Sequence, residues 1–127
     1  MRTDHIMALW ALAGIAIGGA AIQGLHAQAK PLAYVINEVE VTDQAGFQNY
    51  ADKNAALIQK HGGKFIIRGA KAASLDGDPP KARTTVYVFD NVDKMQAWRD
   101  SAEYKELKVL RDKSAKFRAY VAEGVTN

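Results

Sequence analysis

Six side chains in this sequence have the type and placement to hold a small molecule. Arg68 interrupts the apolar run Lys64 to Ala70, KFIIRGA. A charge in such a run is costly without a partner, so Arg68 either pairs within the fold or waits for a ligand anion. Tyr104 and Arg111 stand seven residues apart in a helical segment, which places them about 20° from each other around the helix axis. With Arg68 they could converge on one cleft and hold a carboxylate by charge-assisted contacts. The structural alternatives are a snorkelling arginine, a core tyrosine with its hydroxyl at the edge, and a pairing of Arg68 with Glu38 or Glu40. Asn54 breaks the apolar stripe of the helix that also carries the candidate Tyr50, so it either lines a pocket or sits on the rim. Ser101 precedes a helix, where it either caps the first turn or adds a hydroxyl to the site.

Catalytic groups are scarce beside these. The chain has no cysteine, and His61 is its one histidine after residue 26. That leaves no ligand set for zinc or haem within one subunit. His61 ends a helix, where a partly positive imidazole is favoured by the helix dipole. Asp43 reads as a helix cap. Gly62-Gly63 and Gly69 do not fit the phosphate-binding glycine motifs. No cofactor and no metal are expected. Seventeen Lys and Arg against fourteen Asp and Glu give a net charge of +3. These charges are interspersed, which predicts a mixed solvated surface and no nucleic-acid partner.

The elements that must position the candidates follow from periodicity. Leu32 to Val41 (LAYVINEVEV) is rich in β-branched residues and predicts a strand. Thr42 or Asp43 can cap a helix over 44–61, with Phe47, Tyr50, Ala51, Leu57, Ile58 and His61 at helical spacing. Gly62-Gly63 ends it. Lys64 to Ala70 predicts a second strand, Leu75 to Pro80 a hairpin loop, and Thr84 to Phe89 a third strand. Asp90 or Asn91 caps a helix carrying Val92, Met95 and Trp98. Ser101 interrupts it, and a further helix runs from about Ala102 to Ser114. Phe117 to Ala122 closes the chain as a fourth strand. The order gives an α+β fold: a ferredoxin-like βαββαβ sandwich with a four-stranded antiparallel sheet.

Simple alternation puts Phe65 and Ile67 on one face of the second strand and Ile66 on the other. It sets Val86 and Val88 against Tyr87 and Phe89, and Val35 and Val39 against Tyr34 and Ile36. Both sheet faces are therefore apolar, while helices cover only one. The second face calls for a cover, and another subunit on a two-fold axis supplies it.

Residues 1–29 read as a signal peptide. Arg2 precedes the uncharged run Ile6 to Ile22, and Ala27-Gln28-Ala29 fits cleavage after Ala29, with Leu25-His26-Ala27 as a second exit. The expected location is periplasmic or extracellular, with residues 30–127 as one domain. The alternative is an uncleaved anchor, since 17 apolar residues approach bilayer length.

Tyr50, His61-Gly62-Gly63-Lys64-Phe65, Arg68-Gly69, Leu75-Asp76-Gly77, Ser101-Ala102-Glu103-Tyr104 and Leu110-Arg111 fall in the order and spacing of the domain-of-unknown-function 1330 family, DUF1330. The chain resembles that family over roughly residues 33–124. Ala102 stands where the family more often has proline. The resemblance implies a dimeric α/β barrel, hence a homodimer, and assigns no activity. The expected function is an exported binding domain that holds a small, partly apolar anionic molecule between helices and sheet. The alternative is a cofactor-independent oxygenase or isomerase in the same cleft, an analogy at the level of fold. A purely structural dimer is the third reading.

Overall fold

The computed structural model describes residues 30–126. The signal peptide, its cleavage and the anchor alternative concern residues outside that range. Seven elements follow in chain order: β1 (Ala33–Val41), α1 (Gln44–Lys60), β2 (Lys64–Ala70), β3 (Arg83–Phe89), α2 (Val92–Asp100), α3 (Ala102–Ser114) and β4 (Ala115–Glu123). The strands form one antiparallel sheet in the order β2-β3-β1-β4, the ferredoxin-like arrangement. No helix among the described residues is long and apolar enough to cross a membrane.

The helix ends are set by the expected residues. The Asp43 carboxylate accepts from the Gly46 N–H at 3.3 Å. Gly62, at φ +83°, lets the chain leave α1, and the Gly63 N–H donates back to the Ile58 carbonyl at 2.8 Å. Gly63 must also stay small, because a Cβ there would lie 2.5 Å from Ile58 and 2.8 Å from Phe89. Asn91 caps α2 through the Lys94 N–H, and Ser101 caps α3 through the Tyr104 N–H at 3.1 Å.

The core lies at the end of the sheet where β1 begins and β3 ends. Ala33, Val35, Leu57, Ile58, Phe89, Met95, Trp98 and Tyr104 pack there. Trp98 is fully buried, with ring centroids 4.4 Å from Tyr104, 5.3 Å from Tyr87 and 5.5 Å from Phe89. On the opposite sheet face, Ile67 is 39% and Tyr120 47% exposed. Tyr34, Ile36 and Val88 are half-buried on that face, outside the core that the described helices cover.

One expectation from alternation fails. Phe65 pairs with Tyr87 on the helix face, but Ile67 pairs with Val86 on the open face. The register of β2 shifts between Phe65 and Ile67, and again before Ala70. A bulge inserts an unpaired residue and re-aims the side chains beyond it. Arg68 thereby comes to the same side as Phe65, with its guanidinium 4.5 Å from the Phe65 ring centroid.

Candidate functional site

A cavity of about 120 Å³ lies between α1 and the sheet, at the end away from the core. All four strands reach it. Asn37, Val39 and Val41 come from β1, Phe65, Arg68 and Gly69 from β2, Arg83, Thr85 and Tyr87 from β3, and Phe117 from β4. Phe47, Tyr50, Ala51 and Asn54 of α1 form the roof. The inner wall of Asn37, Val39, Tyr50, Asn54 and Tyr87 is buried, whereas Val41, Arg68 and Arg83 are exposed at the rim. Charge thus stays at the mouth, and the interior is mainly aromatic and aliphatic with the amides of Asn37 and Asn54 buried in its wall.

The buried polar groups are tied to one another. Trp98 Nε1 donates to Asn54 Oδ1 at 3.0 Å, and Asn54 Nδ2 donates to the Tyr50 hydroxyl at 3.1 Å. Asn37 Nδ2 donates to the Thr85 carbonyl at 3.1 Å and the Val35 carbonyl at 3.4 Å. Burial pushes the Tyr50 hydroxyl's pKa up, and the nearby Tyr87 and Tyr104 add to the rise. The Tyr87 pKa is also raised, by burial first and then by Tyr104. Both phenols stay protonated at neutral pH. They are hydrogen-bonding groups there and not bases.

At the mouth, the two rim arginines differ. Arg83 donates to the Gly69 carbonyl at 3.1 Å. Arg68 stacks on Phe65 and has no hydrogen-bond or ion-pair partner among the described residues. Its position depends on the bulge. Gly69 takes φ +61°, and its N–H donates to Thr85 Oγ1 at 2.9 Å.

Of the six expected residues, Arg68, Tyr50 and Asn54 meet at this cavity, and the other three do not. Tyr104 is buried in the core, where its hydroxyl accepts from Arg99 at 2.9 Å and from Arg111 at 3.0 Å. Arg111 also meets Asp112 at 3.0 Å and lies 4.6 Å from the Phe117 ring centroid. The expected convergence of Arg68, Tyr104 and Arg111 on one anion is therefore corrected: protein groups already satisfy Arg111. Its charge is resisted by burial and favoured by Tyr104 and Asp112, with a net rise in pKa. The Ser101 hydroxyl accepts from Tyr104 N–H and donates to the Trp98 carbonyl at 2.8 Å, a capping role that uses both capacities. The Glu38 alternative for Arg68 also falls, since Glu38 pairs with Arg118 at 2.6 Å.

Asn37 is a buried polar wall residue that the sequence reading passed over. Its signal was available: a lone amide between Val35 and Val39, on the phase of β1 that is otherwise apolar. Among the described residues no three His, Asp or Glu side chains gather as a metal site would need.

A family model described as a domain of unknown function, DUF1330, matches residues 32–125. The protein of unknown function RPA0582 from Rhodopseudomonas palustris is similar in structure, at TM-score 0.65 and 12% identity. The match covers 84% of this chain and 92% of that one. SnoaB, a cofactor-independent oxygenase from Streptomyces nogalater, is similar at TM-score 0.53 and 13% identity, over 76% of this chain and 96% of that one. At these identities the likeness is one of fold. No curated protein matches the chain in sequence.

Proposed function

The chain belongs to the DUF1330 family, and for this member we propose a binding function: an exported homodimer that holds a small, partly apolar anion in the cavity under α1. The observation that carries this reading is Arg68. It is a rim guanidinium without a hydrogen-bond or ion-pair partner among the described residues, beside an apolar interior. Small-molecule sites have this composition, with mainly hydrophobic walls and few polar anchors. Export rests on residues 1–29 as a leader, and the dimer on the uncovered apolar face of the sheet.

The test is titration of the parent and Arg68→Met with a panel of small aliphatic and aromatic acids, with melting curves for both. Loss of the charge-assisted contact should weaken binding by roughly 1.5–3 kcal/mol and leave the melting temperature nearly unchanged. Equal affinity in the two proteins would remove Arg68 from the site. A parent that binds nothing in the panel would remove the site.

A cofactor-independent oxygenase or isomerase in the same cavity is the second reading, supported by the fold shared with SnoaB. The wall weighs against proton abstraction, because it holds no carboxylate or imidazole and its two phenols are held protonated. Oxygen uptake with a bound ligand would favour catalysis.

A further inference from the structure

We propose that the occupant is a single-ring carboxylic acid of benzoate size, bound ring inward with its carboxylate at Arg68. This rests on the binding function above and adds its size, shape and orientation.

Size comes from the cavity. Its volume is about 120 Å³, close to the roughly 150 Å³ of a dry apolar cavity that accepts benzene. One six-membered ring occupies that volume with its polar group projecting toward the rim, and a second fused ring would have to stand in the mouth.

Shape comes from the walls. Tyr50 and Phe117 meet edge to face at 5.9 Å, and Phe65 and Tyr87 do so at 5.4 Å. A ring among them finds both ring faces and ring edges, the arrangement in which aromatic groups attract beyond their buried area. A flexible chain of the same volume would lose rotamer freedom on entry and gain no quadrupole contact.

Orientation follows from the hydrogen bonds. At the inner wall, Asn37 Nδ2 is committed to two backbone carbonyls and Asn54 Nδ2 to the Tyr50 hydroxyl. An inward carboxylate would be buried without a cation, which is costly. At the rim, Arg83 is held by the Gly69 carbonyl. Arg83 spends one of its five N–H donors there, whereas Arg68 makes no hydrogen bond among the described residues and can turn its whole fork to a carboxylate.

The experiment is calorimetric titration of the full chain with benzoate, benzamide, hexanoate and 2-naphthoate, repeated on Arg68→Met and Ala51→Leu. Ala51 lines the cavity on α1, and leucine there fills space while keeping a helix former. Benzoate should bind at least tenfold tighter than the other three. Arg68→Met should bring benzoate down to the level of benzamide. Ala51→Leu should abolish benzoate binding in a protein that still melts cooperatively. If 2-naphthoate or hexanoate matches benzoate while Arg68→Met still weakens all the acids, the single-ring assignment is wrong and the anion site stands. If no acid binds, or if benzamide equals benzoate in the parent, the binding function falls with it.

Discussion

At the scale of single residues, two arginines that look alike in sequence have opposite circumstances. Arg111 is 8% exposed and its guanidinium is shared among Tyr104, Asp112 and the Phe117 ring. Arg68 has the Phe65 ring alone among the described residues. The helical spacing of Tyr104 and Arg111 was legible in the sequence, and their hydroxyl–guanidinium bond fulfils it. What spacing could not show was the direction in which the pair faces, because Arg99 of α2 and Asp112 of α3 complete it from within the fold. The two arginines should therefore separate in experiment. Arg111→Met breaks a partly buried polar cluster and should cost about 1–3 kcal/mol of stability, read as a lower denaturant midpoint. Arg68→Met should leave that midpoint in place and act on ligand affinity. A second prediction concerns the raised phenols. Because the folded pKa values of Tyr50 and Tyr87 lie above the usual tyrosine value of about 10, their contribution to stability is complete below that pH and is lost as pH climbs beyond it. Phenolate absorbance from these two should appear only as the fold is lost in alkali, and Tyr50→Phe and Tyr87→Phe would assign it. Ionisation of either in a protein with native circular dichroism would contradict the burial argument.

Among the elements, β2 is where sequence reasoning and structure part. β1 and β3 obey simple alternation, so their buried and open faces were legible residue by residue. β2 does not, because its register shifts twice within seven residues. The warning sign was Gly69, since glycine within a strand often marks a bulge. The shift moves Ile67 to the open face and Arg68 to the cavity mouth, so the site depends on a strand irregularity that periodicity cannot foresee. A side chain at Gly69 would meet no atom within 4 Å, so its constraint is conformational. A non-glycine residue at φ +61° costs about 1–2 kcal/mol. Gly69→Ala should thus destabilise by that amount or relax the bulge. Thr85→Val removes the hydroxyl that accepts from the Gly69 N–H while keeping the side-chain volume. It should weaken acid binding severalfold and change neutral-ligand binding little. Equal loss for acids and their amides would mean that Thr85 shapes the cavity rather than aiming Arg68.

At the scale of the whole molecule, the cavity and the open sheet face lie on opposite sides of one four-stranded sheet. Ile67, Tyr120 and their half-buried neighbours make an apolar surface that a monomer would leave in water. A two-fold pairing buries the same patch on both copies. Ile67→Glu or Tyr120→Glu places like charges across such an axis and should shift sedimentation toward the monomer. A parent that sediments as a monomer at micromolar concentration would refute the pairing. The chain also carries an optical consequence of its packing. It has two tryptophans, Trp10 and Trp98, and removal of residues 1–29 would leave Trp98 as the sole indole emitter. That indole is sealed from water and donates to the amide that holds the Tyr50 hydroxyl on the cavity wall. Any occupant that tugs on Tyr50 must alter the electric field at the indole, so a chain freed of residues 1–29 would carry a built-in fluorescent gauge of whether its cavity is empty or filled.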